Sequence, residues 1–139
     1  MRLLLDTCIL AFYVSDKLHQ DAKEMIHDYE NQLYTSSVAV MEFINLLQFD
    51  RIGFAKNVRF NTLDVFDFIE KTLGIKIKYI DRGHLNTLLK LPNTPTHQDP
   101  NDRLMIAQAI TEGLTLMSSD TKFIYYVDFG LDFIKAKHE

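Results

Sequence analysis

Residues 97–109 read HQDPNDRLMIAQA, a helix start followed by a run of apolar helix formers. Asp99 fits the N-cap position, Pro100 fits the first helical position, and Asp102 falls in the first turn. Leucine, methionine, isoleucine and alanine dominate the remainder, so we predict a helix that is buried along most of its length. A second acid at the start of a buried helix makes this segment a candidate cation site.

Segments typical of short strands lie on both sides of this helix and recur along the chain. Helical signals separate them, and this alternation is typical of an α/β layer fold with a mostly parallel sheet. The predicted strands are Leu3–Leu5, Gln32–Thr35, Ile75–Ile80, Leu114–Met117 and Gly130–Ile134.

Helical spacing and capping residues predict the elements between the strands. Ser36 or Ser37 can cap the third helix. Thr62 can cap the fourth helix, and Gly74 can end it. Arg51–Arg59 is polar and basic, and we interpret it as a loop or lid. The predicted helices cover residues 9–14, 19–30, 38–49, 63–73, 82–91, 100–112 and 123–126.

Length, composition and charge restrict the class of protein. The 139 residues, 47% of them hydrophobic, suffice for one domain over residues 1–139 with a core of its own. The single Cys8 rules out an internal disulfide framework and suits a reducing compartment. Apolar runs are too short to span a membrane, and we expect a cytoplasmic protein. The net charge of −4 argues against a basic nucleic-acid-binding face, unless metal neutralises clustered acids.

Four acidic side chains stand out by position. Asp6 directly follows a predicted strand, and Asp120 follows another after two serines. Asp102 starts the helix just before that second strand, and ligand sites in open parallel sheets lie beyond the carboxyl ends of the strands. Glu42 lies in an otherwise apolar helical segment, where a carboxylate must be paired, protonated or bound to metal.

Each of these acids also has an ordinary structural role open to it. Asp6 can cap the next helix, and Asp120 can open a turn. Asp102 can interact with the helix dipole, and Glu42 can pair with an arginine or lysine. Their joint placement favours a common site over four separate structural roles.

Acids gathered in one cleft repel one another. Two unit charges at ~4 Å interact with roughly 4 kcal/mol at an effective dielectric near 20. A hard divalent cation removes that repulsion, and ligation by oxygen alone favours Mg²⁺ or Mn²⁺ over zinc. Such ions also activate water and stabilise the leaving oxygen of a phosphodiester.

Four segments together resemble the PIN-domain ribonucleases, and most closely the VapC toxins of bacterial type II toxin–antitoxin modules. The matching segments occur in the family's order across nearly the whole chain. They are LLDT at residues 4–7, SSVAVME at 36–42, DPNDRLMIAQA at 99–109 and SSDTKF at 118–123.

The resemblance implies a three-layer α/β/α sandwich around a mostly parallel sheet of four or five strands. It implies Mg²⁺- or Mn²⁺-dependent endonucleolytic cleavage of RNA, a cognate antitoxin as partner, and a homodimer. Thr7 and Ser118 match the family's hydroxyl positions, and Asp99 is interpreted as a cap that supports the site. The family's characteristic acids fall on Asp6, Glu42, Asp102 and Asp120.

Several residues near the acids also bear on the site. Cys8 stands where close relatives often have histidine, and we expect it to pack as a small apolar group. Asn101 replaces the commoner aromatic residue. His97 could touch metal-bound water or phosphate, although a hydrogen-bonding loop histidine is the commoner case. We expect Arg103 to pair with a nearby acid rather than with RNA.

Candidate contacts to the RNA backbone are basic residues outside the acidic motifs, for which a solvated surface is the competing interpretation. They are Arg51, Lys56, Arg59 and Lys122.

The sequence therefore predicts a metal-dependent endoribonuclease that is the toxin of a toxin–antitoxin pair. One alternative keeps the chemistry but makes the protein a housekeeping RNA-processing PIN nuclease. A second alternative is a non-catalytic module, in which the acids hold a structural ion and the protein only docks a partner.

Overall fold

The computed structural model describes residues 1–56, 58, 60 and 64–139. Five strands form one sheet in the order β3-β2-β1-β4-β5, and every neighbouring pair is parallel. The predicted parallel sheet is confirmed, with five strands. They are β1 Arg2–Leu5, β2 Gln32–Ser36, β3 Lys76–Lys78, β4 Thr115–Ser118 and β5 Asp132–Lys135.

Helices connect these strands and cover both faces of the sheet. Among the residues that the structure describes, no helix has the length and apolar character needed to cross a membrane. The helices are α1 Thr7–Val14, α2 Gln20–His27, α3 Ser37–Gln48, α4 Val65–Asp67 with its π-helical continuation Phe68–Thr72, α5 Arg82–Lys90, α6 Pro100–Glu112, and a 3₁₀ helix Thr121–Phe129.

Side-chain alternation along the central strand produces two cores. Leu3 and Leu5 point into a core shared with α1, α2, α3 and α4. Leu4 points to the opposite face, into a core built with α6, the end of α5 and the 3₁₀ helix. All three leucines are fully buried, which explains the continuous apolar run that is typical of parallel strands covered on both faces. The predicted three-layer α/β/α architecture is therefore confirmed.

Strand register brings the ends of the central strands together. Leu5 pairs with Thr35 on β2 and with Met117 on β4. The backbone amide of Asp6 continues the ladder by donating to the Met117 carbonyl at 3.2 Å. The residues that directly follow β1 and β4 consequently share one edge of the sheet.

The second, fourth and last predicted helices differ from the structure in extent or type, and α1 begins at Thr7, two residues before its predicted start. The second ends at His27 rather than residue 30, because Asp28 is extended and Asn31 bonds the carbonyls of Met25 and Asp28 in a turn toward β2. Described residues place the start of the fourth helix at Val65, with Asp64 as N-cap.

The predicted cap Thr62 and first residue Leu63 of that fourth helix lie outside the described residues. The helix changes to π-helical bonding and ends before Gly74, as predicted; Gly74 has a positive φ of 70°. The helix predicted over residues 123–126 is a longer 3₁₀ helix, Thr121–Phe129. It ends before Gly130, which has a φ of 100°.

The start of α6 agrees with the sequence prediction. The Asp99 side chain accepts hydrogen bonds from the backbone amides of Asn101 and Asp102 at 2.9 and 3.3 Å, and Pro100 occupies the first turn. Gly113 ends the helix in the left-handed conformation, with φ 65°.

Removing the Asp99 cap should destabilise the protein. We expect Asp99→Ala to lower the free energy of unfolding by about 1 kcal/mol, because two backbone amides lose their acceptor. Asp99→Asn is the matched control, since asparagine caps about as well as aspartate. Urea unfolding of the three proteins measures the difference, and equal loss in both variants would contradict a capping role.

Candidate metal centre

The edge of the sheet gathers acidic side chains from three elements. Asp6 follows β1, Asp102 lies in the first turn of α6, and Asp120 follows β4. Ligand atoms of His97, Asp102 and Asp120 all lie within 4.8 Å of one another. Asp6 is close enough that the Asp102 carboxylate contributes to raising its pKa. The loop, the helix start and the two strand ends therefore form one cluster.

Asp6 combines a capping role with an unusual environment. Its Oδ1 accepts from the Ile9 amide at 3.1 Å and from the Cys8 thiol at 2.9 Å, so it caps α1. Only 5% of the residue is exposed. Burial raises the pKa of Asp6 to about 6, although hydrogen bonds from Cys8, Ser118 and Ile9 oppose the rise. A charged Asp6 therefore costs stability unless a cation compensates it.

Asp102 lies between histidine and other acids. Its Oδ2 is 3.2 Å from the Nε2 of His97, which is itself buried. Burial raises the pKa of the Asp102 carboxyl, and the charges of Asp99 and Glu42 add to the rise, against the hydrogen bond from His97. Glu42 therefore lies close enough to Asp102 for their charges to repel.

Asp120 also uses one oxygen for local structure. Its Oδ1 accepts from the Lys122 amide at 2.9 Å and caps the 3₁₀ helix. The buried Ser118 hydroxyl accepts from the Asp120 amide at 3.1 Å and so fixes the turn that aims this acid. Asp120 therefore both caps the turn into the 3₁₀ helix and belongs to the cluster.

Glu42 is half-buried and held at both carboxylate oxygens. The Thr7 hydroxyl donates to Oε1 at 2.6 Å, and the Asn101 side-chain amide lies 3.4 Å from Oε2. No arginine or lysine among the described residues forms an ion pair with Glu42, so the predicted pairing alternative is not observed there. Two neutral donors orient this carboxylate and leave its charge uncompensated.

The donor set suits a hard divalent cation. Within the described part of the chain, the protein hydrogen bonds of Asp102 and Asp120 each occupy one carboxylate oxygen. The other oxygens are available as ligands. Burial, the main cause of the raised pKa of both Asp6 and Asp102, makes each carboxylate costly to ionise unless a cation compensates it. Carboxylate oxygens are the ligands that Mg²⁺ and Mn²⁺ prefer.

An open groove adjoins the cluster on the side of Glu42. It has a volume of about 520 Å³ and lies along α3. Thr7, Glu42 and Asn101 line its end nearest the acids, and Met41 and Ile44 give it an apolar wall. The groove is open to solvent and is not an enclosed cavity.

Of the four basic residues predicted to contact RNA, the structure describes three and shows that each is exposed. Arg51 and Lys56 are exposed on the segment after α3, and Lys122 is exposed at the start of the 3₁₀ helix. Arg59 lies outside the described residues. Contact of these side chains with a nucleic acid remains a prediction.

Three neighbours of the acids make contacts that the sequence did not predict, although hydrogen bonding by His97 was expected. Cys8 packs against the apolar core as expected, but its thiol also contacts Asp6 and lies 3.2 Å from the Ser119 hydroxyl. Among the described residues, Arg103 bonds the Pro92 carbonyl and the Tyr126 hydroxyl and forms no ion pair, so the predicted pairing with an acid is wrong. His97 is buried within the cluster, and its closeness to Asp99 in sequence was the only signal.

Comparison with known proteins identifies the fold family. The PIN domain family profile matches residues 3–129, which is nearly the whole chain. No curated protein sequence gives a significant match.

Solved structures share the fold at low sequence identity. One is the VapBC2 complex of Rickettsia felis bound to a DNA fragment from its promoter, with a TM-score of 0.69 and 17% identity over 99% of this chain and 100% of that chain. VapBC-1 from nontypeable Haemophilus influenzae matches with a TM-score of 0.69 and 17% identity, over 97% and 98%. A toxin–antitoxin complex from Klebsiella pneumoniae matches with a TM-score of 0.63 and 18% identity, over 96% of both chains. At these identities the solved structures show a shared fold. The PIN domain profile match includes the acidic residues at the edge of the sheet and most residues of the two cores. The chain therefore belongs to the PIN domain family.

Proposed function

We propose that this protein is a metal-dependent endoribonuclease and the toxin of a toxin–antitoxin pair. The observation that supports this most is the acidic cluster at the carboxyl edge of the sheet, where burial raises the pKa of Asp6 to about 6. Such a carboxylate is costly to ionise without a cation, and the cluster adjoins an open groove. Membership of the PIN family supports nuclease chemistry at this edge.

In this proposal Asp6, Asp102 and Asp120 hold Mg²⁺ or Mn²⁺. When bound, such an ion activates water and stabilises the leaving oxygen of a phosphodiester. Glu42 orients the attacking water or holds a second ion. Thr7 and Asn101 keep the Glu42 carboxylate in place through its two oxygens, so it does not have to reorganise during the reaction. In-line attack of this water on phosphorus would form a new P–O bond and break the bond to the 3′ oxygen, which takes up a proton, so the products would carry a 3′-hydroxyl and a 5′-phosphate.

The substrate in this proposal is RNA that lies in the groove along α3. Arg51, Lys56, Arg59 and Lys122 are the candidate contacts to its phosphates. The acidic net charge of −4 means that local basic side chains and the bound ion, rather than the whole surface, attract the strand.

The proposed partner is a cognate antitoxin protein. The Rickettsia, Haemophilus and Klebsiella structures with the same fold are VapBC or toxin–antitoxin complexes, which supports this biology over RNA housekeeping. We further propose that the chain forms a single PIN domain over residues 1–139, assembles as a homodimer and acts in the cytoplasm.

The experiment that tests the activity incubates purified protein with cellular RNA and Mn²⁺, with EDTA as control, and maps the new 5′ ends. We expect discrete cleavage sites that carry 5′-phosphates and vanish with EDTA. Mn²⁺ binding without cleavage of any RNA would instead support the non-catalytic module.

A second experiment tests the toxin role. Induced expression should arrest growth, and co-expression of a small protein encoded beside this one should restore it. Cleavage in vitro without growth arrest would favour the housekeeping nuclease.

A further inference from the structure

A chain of hydrogen bonds leads from the interior to Asp102. The Arg103 guanidinium donates to the Tyr126 hydroxyl at 3.1 Å, and this hydroxyl lies 2.9 Å from the Nδ1 of His97. The Nε2 of His97 lies 3.2 Å from the Oδ2 of Asp102. Tyr126 is fully buried and His97 is 4% exposed, so water does not compete for the bond between them. The chain ends on one of the proposed metal ligands.

The direction of each bond follows from the donors available. An arginine can only donate, so the Tyr126 oxygen accepts from Arg103. The Tyr126 proton has two acceptors in reach, the Nδ1 of His97 at 2.9 Å and the His97 carbonyl at 3.4 Å. The shorter contact is the better hydrogen bond. With Nδ1 as acceptor, a neutral imidazole carries its proton on Nε2 and donates it to Asp102.

Packing fixes the orientation of the imidazole. The Phe123 and Tyr126 rings lie 5.4 and 5.3 Å from it, centroid to centroid. Arg103 also donates to the Pro92 carbonyl at 2.9 Å, which ties the loop before α6 to the helix. The histidine therefore cannot turn its ring without breaking a buried hydrogen bond.

We infer that His97 is a positioning residue, which Tyr126 and Arg103 orient so that it holds the Oδ2 of Asp102 and leaves Oδ1 to a divalent cation. This inference rests on the proposed function insofar as Asp102 is a metal ligand. It assigns a task to the buried histidine and tyrosine, which touch neither substrate nor ion. Partners of this kind outside the ligand set typically change metal affinity about 10- to 100-fold when removed.

The competing role for His97 is that of a direct ligand through Nε2, because its ring nitrogen lies within 4.8 Å of the carboxylates. That role requires the Nε2 lone pair to face the ion and the proton to sit on Nδ1. The Tyr126 hydroxyl would then have to use the longer contact of 3.4 Å to the His97 carbonyl. A direct imidazole ligand also raises the preference for Ni²⁺ over Mg²⁺.

Calorimetric titration of the purified full-length protein with Mn²⁺, Mg²⁺ and Ni²⁺ separates these roles without any RNA. The variants are His97→Ala, His97→Gln, which keeps an amide donor at similar reach, and Tyr126→Phe, which removes only the hydroxyl. Tyr125→Phe is the matched control, because it removes the same group from the neighbouring, 43% exposed ring. Thermal melts identify any variant that fails to fold, and Tyr126→Phe preserves the buried ring.

We expect His97→Ala to weaken Mn²⁺ binding about 10- to 100-fold. Tyr126→Phe should also weaken Mn²⁺ binding, by a smaller factor. We expect His97→Gln to restore most of the affinity, with an unchanged ratio of Ni²⁺ to Mg²⁺ affinity. Wild-type affinity in a folded His97→Ala or Tyr126→Phe protein overturns the inference. A selective loss of Ni²⁺ affinity in His97→Gln also overturns it, since His97 would then be a ligand.

The same titrations separate this inference from the proposed function. The expected pattern of Mn²⁺ affinities in a protein that cleaves no RNA would leave the positioning role standing and remove the nuclease role. RNA cleavage with equal Mn²⁺ affinity in all variants would leave the nuclease role standing and remove the positioning role.

Discussion

Asp102→Asn should reduce RNA cleavage by at least about 100-fold while the protein still folds. The change replaces one carboxylate oxygen by an amide nitrogen and removes the charge that an ion requires. Loss of a metal's contribution to transition-state stabilisation amounts to several kcal/mol, and each 1.4 kcal/mol is about tenfold in rate. Asp99 and Pro100 determine where α6 begins, so the helix start should survive the substitution.

The measurement compares initial rates of RNA cleavage at saturating Mn²⁺, with circular dichroism to verify folding. Asp21→Asn is the matched control, since Asp21 is an exposed acid in the first turn of α2. It loses the same charge from the same type of position and should cleave RNA normally. Full activity of Asp102→Asn would exclude this side chain from the metal centre.

Asp6→Asn should change activity and stability in opposite directions. Cleavage should fall as in Asp102→Asn, because a proposed ligand is lost. In metal-free protein above pH 6, the free energy of unfolding should instead rise by up to about 3 kcal/mol, because burial raises the pKa of Asp6 from 3.8 to about 6. Asparagine keeps the oxygen that accepts from Ile9 and Cys8, so the cap on α1 remains.

The sign of the pH dependence follows from which state binds the proton more tightly. The folded protein keeps the Asp6 proton up to about pH 6, and the unfolded chain releases it near 3.8. As the pH rises through this window, ionisation favours the unfolded chain and the wild type loses stability. Below about pH 4 both forms are protonated, and Asp6→Asn should lose its advantage.

Chemical unfolding at pH 4 and pH 8, with EDTA or with Mn²⁺, measures this effect. Mn²⁺ should stabilise the wild type at pH 8 and narrow its gap to Asp6→Asn, because an ion that binds only the folded state adds to its stability. Asp6→Ala is the control, since it removes the cap together with the charge and should gain less stability. A wild type more stable than Asp6→Asn in EDTA at pH 8 would contradict a buried, uncompensated acid.

Most elements of the fold could be predicted from local patterns. The run Leu3–Leu5 predicts a buried strand, and Asp99, Pro100 and Gly113 locate both ends of α6, because capping depends on residues near in sequence. The second helix was predicted too long because Asn31 ends it through a side-chain bond to Met25. The π-helical turn after Asp67 has no such local signal.

Asp6, Asp102 and Asp120 could be proposed from the sequence because each follows a strand or begins a helix, and parallel strands end at one edge. Glu42 could be proposed because it is a carboxylate within an otherwise apolar helix. Their surroundings could not be predicted in the same way. Arg103 was expected to pair with an acid, but it bonds Tyr126 and Pro92 instead. Its position beside Asp102 in sequence does not reveal that residues 92 and 126 fold against it.

The sequence by itself determined the element order and the α6 caps and singled out the four candidate acids, since these depend on propensity, periodicity and short spacing. Only the tertiary structure decided that His97 lies against Asp102 and Tyr126, and that Thr7 and Asn101 hold Glu42. Those contacts join residues up to 59 positions apart. Packing of the loop, α6 and the strand ends determines such contacts, and so the structure was needed to find what orients the acids.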